Sequence, residues 1–565
     1  MRFKKHRFAN IRNQGLGRSI SALKSKIFCL RTVFLALFLV VMAATASFAG
    51  PITVTSAHLQ AKYGNLTNIY FQNTSGPGSS TPSTNTALTL TSSSGSYALA
   101  TSSNAYLWSP EFASANTISA GNWFLDLWAA SSTNAVAYIP ITITNAQSSA
   151  TPNPLQENIT FNPSSYASYE ASNLGNIRFY SNSGLTQLMY AWLESCTPSV
   201  SNTATSATAW VKLTSQITGS GGTLTIYLAF LSTSTNFDGN YWGEAPSLSG
   251  TYAAYDNGAN VFNGYFNGNT ATSSFSVYSG DTVAQVTGVS GPAGATINAI
   301  KLTGSTGAHV PAFSYNEAMS NTALIVESSF SLAGDTADAT GAVGLVDNAA
   351  VGSIENGITA QMGYSSSYFS QAYEISGTVT LAANSYSGTS TTSWTYASVT
   401  YSGSSVSSWS AYIAPQLYSS TGGYSGTVSN KPLSSAAHLY LGQISGASAI
   451  DIYYNFLRAR AYPPNNVMPS ASFGSLSTVN DAIQVSIYVT SSSGSVQSTI
   501  ASDVQSGLIG ASEGQYVMSF AGSQVSVPQS GYIMIELSSS STISYTIYWG
   551  SGQPTNFQAP YRVLS

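Results

Sequence analysis

"IDIYYNFLRARAYPP", residues 450–464, is the stretch on which the reading of the fold turns. Most of this chain is Ser, Thr, Gly and Ala, and only 7% of its residues are charged. Here Arg458 and Arg460 stand one residue apart among aromatics. Side chains along a strand alternate between its two faces, so the two arginines point the same way. Pro463 and Pro464 then stop the ladder, because proline supplies no N–H. The stretch reads as the long closing strand of a β domain, with "NNVMPS" leading out of it. On that reading the arginines brace the domain exit against carboxylates or carbonyls.

The rest of the chain extends this reading. At 565 residues it exceeds one typical domain, so several cores are expected. Its 12% aromatic content sets it apart from disordered chains, which combine few aromatics with high charge. Strand formers and short Gly/Asn/Ser turns recur, and nothing after residue 50 sustains a helical apolar period. The class is therefore all-β.

The first 49 residues read as a targeting segment. Residues 2–31 hold nine Lys and Arg and no acid, followed by the apolar run "VFLALFLVVMAATASFA". Ser47 and Ala49 fit the −3 and −1 positions of a signal peptidase site, with cleavage before Gly50. The other reading is an uncleaved anchor helix, the one route to a membrane. Either way the remainder is expected to be secreted or held at the cell surface. Of 17 Lys and Arg, eight then remain against 21 Asp and Glu, a net charge of −13. That excludes nucleic acid as a partner, since binding it needs a basic surface. Of the cysteines, Cys29 lies in the targeting segment, so Cys196 is left alone and reads as a structural thiol. Asn65, Asn73 and Asn158 head N-x-S/T sequons and are the candidate glycosylation sites.

Order along the chain divides it further. Residues 136–242 show strands at regular spacing: "VAYIPITITN", "NIRFYSNSG", "MYAWLESC", "ATAWVKLTSQI" and "GGTLTIYLAFLS". This order resembles the domain-of-unknown-function family 2341 of secreted and cell-surface proteins. The resemblance rests on residues 141–145, 177–179, 192–195, 210–213 and 226–230. It implies a β-sandwich and no established chemistry. The following strands, from "TINAIKLTGS" to "AHLYLGQISG", resemble a concanavalin A-like (laminin-G-like) jelly roll. That family closes on a strand similar to the opening stretch, with Ile450, Asp451, Tyr453 and Arg458 in its pattern. The combination resembles prokaryotic, archaeal surface proteins. Residues 50–132 lack a close and residues 477–565 lack an opening, so the two are expected to form one outer sandwich. The expected domains are thus 1–49 signal peptide, 50–132 and 477–565 outer sandwich, 133–247 family-2341-like sandwich, and 248–476 jelly roll.

Chemistry is sparse. Hydrolytic jelly rolls carry carboxylates at alternating strand positions, because one protonates the leaving oxygen while the other attacks or activates water. No such triplet occurs, and Glu327, Asp335 with Asp338, and Asp451 stand alone or in loops. His58, His309 and His438 have no metal-binding spacing. No cofactor is expected beyond the structural calcium that the jelly-roll resemblance implies, with Asp256 and Asp451 as nominees. Aromatics offer a binding alternative, since sugars stack on exposed rings. Trp394, Tyr396, Trp409 and Tyr412 lie in neighbouring strands and are the candidate ligand-binding residues. The expectation is a non-catalytic binding or adhesion protein recognising glycan or protein through the jelly roll. A structural envelope or filament subunit is the alternative, and a glycoside hydrolase a distant third.

Overall fold

The computed structural model describes residues 67–70, 95–304 apart from 101, 110, 113 and 278, the strands and a few flanking residues between 313 and 442, 450–539 apart from 480, 481 and 508, 543–549 and 556–559. The expected targeting segment, Asn65 and Asn73 lie outside these residues. The described chain is all-β, with helix confined to one α-turn, Gly258–Val261, and short 3-10 turns. Among the described residues no helix is long and apolar enough to cross a membrane. The strands assemble into multi-domain β-sandwiches, among them a jelly roll.

An outer sandwich draws on both ends of the chain. One sheet runs in the order Thr67–Tyr70, Asn556–Ala559, Gly121–Ser131, Tyr545–Trp549, Gly95–Leu99, with Gly514–Gly522 also paired to Gly121–Ser131. The facing sheet runs Asn104–Trp108, Tyr532–Ser538, Gln484–Thr490, Val496–Gln505. The pleat of "GNWFLDLWAAS" sends Trp123, Leu125, Leu127 and Ala129 into one core with Val485, Ile487, Val489, Ile535 and Leu537.

A middle sandwich covers residues 137–244. Its sheets are Trp242–Glu244, Ala191–Thr197, Ser206–Leu213, Leu155–Phe161 and, facing it, Ser470–Phe473, Ala137–Asn145, Gly222–Phe230, Ile177–Tyr180, Leu188–Met189. Ile139, Ile141 and Ile143 alternate into the core between them. One boundary differs from expectation. The jelly roll was expected to reach residue 476, but Ser470–Phe473 hydrogen-bonds to the Ala137–Asn145 strand. The exit peptide supplies the edge that the middle sandwich lacks.

The jelly roll is built from strands within residues 264–461. Its first sheet runs Thr282–Ser290, Thr296–Gly304, Ile450–Ala461, Leu324–Ser331, Thr395–Tyr401, Val406–Ile413, Thr421–Ser429, with Gly264–Asn267 also beside Ile450–Ala461. Its second runs Phe275–Val277, Phe313–Tyr315, His438–Gly442, Ala339–Val346, Asn356–Tyr364, Tyr368–Ser376, Val379–Ser387. The opening stretch is thus a central strand. It carries a bulge, since Ser329 faces Phe456 and Phe330 faces Tyr454, leaving Asn455 extra. Ile452, Tyr454, Leu457 and Ala459 consequently all enter the jelly-roll core, while Arg458 and Arg460 turn to the opposite face.

Candidate functional site

That opposite face does not meet solvent. It packs against the outer face of the middle sandwich, where Trp192, Trp210, Phe262, Tyr265 and Phe456 form a cluster of their own. Arg458 is 0% exposed at its centre. Its guanidinium carbon lies 4.7 Å from the Trp210 ring centroid, 5.1 Å from Phe262 and 5.6 Å from Trp192. A cation over ring faces in a desolvated site gains from their quadrupoles.

Carboxylates from both domains meet it. Arg458 Nε donates to Glu327 Oε2 at 2.7 Å and Nη1 donates to Glu194 Oε1 at 2.6 Å. Arg460 Nη2 donates to the other Glu327 oxygen at 3.0 Å. Glu327 is placed by cross-strand register, directly opposite Arg458. Glu194 is placed by a bulge: Leu193 faces Ala209 and Ser195 faces Thr208, so Glu194 is the extra residue. Bulges re-aim side chains, and here the second Glu194 oxygen also accepts the Trp210 indole N–H at 3.0 Å.

Asp256 and Gln156 seal the rim. Asp256 Oδ1 accepts from Trp192 Nε1 at 2.8 Å and from the Gly258 N–H at 3.0 Å. Its Oδ2 accepts from Tyr265 Oη at 2.7 Å and Asn267 Nδ2 at 2.6 Å. The turn after Asp256 needs glycine, since a Cβ at Gly258 would stand 2.4 Å from the Tyr265 ring. Gln156 Oε1 accepts the Ala461 N–H at 2.8 Å while its amide donates to the Val261 carbonyl at 3.0 Å. One side chain so ties the last residue of the closing strand to the helical turn.

The electrostatics follow from burial and pairing. Burial alone would raise Glu327, but Arg460 and Arg458 with their hydrogen bonds hold its carboxyl down at about 2. Burial raises Glu194, with Arg458 opposing it and Glu327 adding to it. Glu327 has two guanidinium partners and Glu194 one, which accounts for the opposite directions. Asp256 is raised by burial against its donors. Glu157, one residue from Gln156, is pushed up by burial to about 8 despite nearby Arg460.

The candidate residues fare differently from one another. Trp394 and Tyr396 are each 6% exposed, and the Trp394 indole donates to the Ser290 carbonyl. Rings so covered cannot act as open stacking platforms, which corrects the expectation at those positions. Trp409 stands in register with Val399, and Tyr412 with Tyr396. Tyr396 and Val399 lie on opposite faces of their strand, so the register places Tyr412 on the face of Trp394 and Tyr396 and Trp409 on the other. Asp256 is surrounded by donors where a cation needs acceptors, so calcium does not fit it. Asp451 pairs with Lys301 Nζ at 2.8 Å and accepts from Thr303 Oγ1 at 2.6 Å, sharing no partner with Asp256. Asn158 is half-buried on the edge strand Leu155–Phe161, and its Oδ1 accepts from Thr160 Oγ1 at 3.4 Å.

Sequence reasoning found Arg458 and Arg460 and the class of group they meet, but not which carboxylates. Glu194 is 264 positions from Arg458. The available signal was the scarcity of charge: two neighbouring arginines on one face of a charge-poor strand demand buried counter-ions.

No family model matches the chain. It is 42% identical over 349 residues to uncharacterized protein 562 of Sulfolobus islandicus rod-shaped virus 1, covering 60% of this chain and 59% of that protein. The chain thus spans less than two thirds of that relative's length. Among solved structures, the carbohydrate-binding module CBM66 from Bacillus subtilis is 10% identical, covering 32% of this chain and 96% of the module at a TM-score of 0.23. The legume lectin-like domain from Entamoeba histolytica is 6% identical, covering 33% and 86% at 0.23. The CBM2 module of the Lactobacillus casei BL23 phage J-1 evolved Dit is 10% identical, covering 36% and 96% at 0.23.

Proposed function

We propose that the chain is an exported, non-catalytic binding protein that holds its jelly roll rigidly before a glycan- or protein-bearing surface. The observation carrying this is the fate of Glu327. It sits mid-sheet in the jelly roll, where a hydrolytic carboxylate would need access to a cleft. Here it is 2% exposed and bound by both arginines of the closing strand. Its charge braces the two arginines of the closing strand, one of which reaches Glu194 of the middle sandwich. The strands Thr395–Tyr401, Val406–Ile413 and Thr421–Ser429 continue the sheet to the far side of Leu324–Ser331 from Arg458, leaving that end for recognition. A viral relative suits a protein that meets a host surface.

The test is a glycan array and a cell-surface binding assay with the full chain, alongside a reducing-sugar assay on any glycan bound. Saturable binding that free ligand displaces, without sugar release, is expected. Turnover abolished by changing a carboxylate would overturn the non-catalytic reading. Absence of binding to both glycans and surfaces would leave the structural-subunit reading in its place.

A further inference from the structure

We propose that the middle sandwich carries a binding ledge for anionic sugars beside the seam, built from Tyr241, Tyr190 and Lys212. The three side chains stand in one row of a sheet. Register pairs Ala191 with Trp242 on one side and with Val211 on the other, so the next row is Tyr241, Tyr190, Lys212. The backbone carries the ladder into that row: the Ala191 N–H donates to the Tyr241 carbonyl and the Lys212 N–H to the Tyr190 carbonyl, each at 2.9 Å. Neighbours in a row project to the same face, and period two puts this row on the face of Trp192 and Trp210. Those tryptophans are buried in the seam, whereas Tyr190, Tyr241 and Lys212 are only half-buried. The rings of Tyr190 and Tyr241 stack with centroids 5.0 Å apart and planes 12° apart, and Lys212 Nζ lies 5.9 Å from the Tyr190 centroid. Strand order sets Tyr241 and Lys212 on opposite sides of Tyr190. Among the described residues no strand of this sheet lies beyond Trp242–Glu244, so no sheet neighbour covers the outer side of Tyr241.

Charge points to the ligand. Among the described residues Arg178, Lys301, Arg458 and Arg460 each pair with a carboxylate. Lys212 is the remaining Lys or Arg among them, and its Nζ donates to the Asn260 carbonyl at 2.8 Å instead. The ammonium carries more donors than that carbonyl takes up. The acids of the adjoining turns are engaged: Asp238 holds Arg178 at 3.1 Å, Glu244 accepts from Ser249 at 2.7 Å, and Asp256 is surrounded by its donors. Neither phenol hydroxyl of the stacked pair has a partner among the described residues. Asn240, exposed and next to Tyr241 in the chain, turns its Oδ1 to Asn260 at 3.2 Å and leaves its amide donors free. The ledge thus offers a ring face, N–H and O–H donors and one uncompensated positive charge. A sugar ring presents C–H groups of partial positive charge to the negative face of an aromatic ring. Carboxylate or sulfate oxygens on that sugar accept charge-assisted hydrogen bonds from Lys212. A neutral sugar would leave the charge unmatched, and a bare anion would leave the ring face unused. The ligand class is a glycan bearing uronate or sulfate groups. This rests on the glycan-binding side of the proposed function and adds a site on the middle sandwich to it.

A glycan array carrying uronate- and sulfate-bearing glycans beside their neutral parents, read with the full chain, tests the ledge. Anionic glycans should be retained about tenfold more tightly than their parents. Lys212→Met keeps the stem beside Tyr190 and removes the charge, so it should bring the two sets level, and Lys212→Arg should restore the difference. Tyr241→Ala removes the ring face and should weaken retention of the anionic glycans about fivefold or more. Tyr241→Leu is the second variant should that one not fold. Preference for the uronates or for the sulfates supports the ledge and names its anion. Loss with Lys212→Met but not with a folded Tyr241 variant means attraction by charge alone and overturns the sugar site. Anionic-glycan binding unchanged in both variants overturns the ledge and leaves the proposed function standing on another surface. Retention of neutral glycans alone does the same. Retention of neither set overturns the ledge and the glycan side of the proposed function together.

Discussion

At the scale of single residues, a chain with few charges uses them where they have most effect. Arg458 is the clearest instance: fully buried, forked between two domains, and roofed by aromatics. Arg458→Met keeps the volume and the ring contacts but leaves Glu327 and Glu194 facing each other. We expect a loss of about 3–5 kcal/mol in denaturant midpoint analysis, the usual result of breaking a buried pair from one side. A loss below 1 kcal/mol would mean that the pairing contributes little. Cys196 illustrates the same economy. Burial, with Glu170 and Glu244 nearby, pushes its thiol up to about 12. Alkylation by iodoacetamide at pH 8 should then run about a thousandfold slower than for a free thiol, because only the thiolate reacts. A rate near that of free cysteine would contradict the described environment. The sequence reading of Cys196 as a structural thiol agrees with its half-buried position against the middle core. The aromatic readings at Trp394 and Tyr396 do not agree. Period two identifies which residues share a face, but not what covers that face, and here the covering Ser290 lies 104 positions away.

At the scale of elements, the closing strand shows what alternation can and cannot reveal. That Arg458 and Arg460 share a face was legible, because no irregularity lies between them. That Tyr454 and Leu457 also share a face was not, because the bulge at Asn455 reverses the parity. Nothing in "YYNFL" marks the bulge, since its cause is the match to Leu324–Ser331 on the neighbouring strand. Deleting Asn455 should make Tyr454 and Phe456 adjacent partners of Phe330 and Ser329, restoring simple alternation with Ile452, Tyr454, Leu457 and Ala459 still in the core and both arginines still on the seam face. The expected result is a protein whose 264–461 region resists protease as long as the unmodified chain does. Cleavage of that region within minutes would show that the register needs the extra residue. The Leu193–Ser195 bulge is equally silent in sequence, yet it aims Glu194 across the seam.

For the whole molecule, the all-β class was legible because it depends only on composition and turn recurrence. The seam was not, because it joins residues of separate cores, Glu194 and Arg458 standing 264 positions apart. Those cores also lead to an uncommon pH profile. Glu157 and Glu170 are both pushed up to about 8 by burial. A carboxyl raised on folding stabilises the fold fully below its ordinary value of 4.5, and that contribution is lost as pH rises to 8. Each is worth at most about 5 kcal/mol across that interval. Glu327 acts in the opposite sense. Held at about 2 by its arginines, it contributes about 3 kcal/mol above pH 4.5, lost as pH falls toward 2. The opposing slopes cross between pH 4 and 5, where stability should be greatest. Thermal melts of the full chain from pH 2 to pH 9 should show the midpoint highest there and falling on both sides. Glu327→Gln should flatten the acid limb, and Glu157→Gln with Glu170→Gln the alkaline limb. A midpoint that climbs steadily from pH 4 to pH 8 would mean that these carboxyls are ionised in the fold.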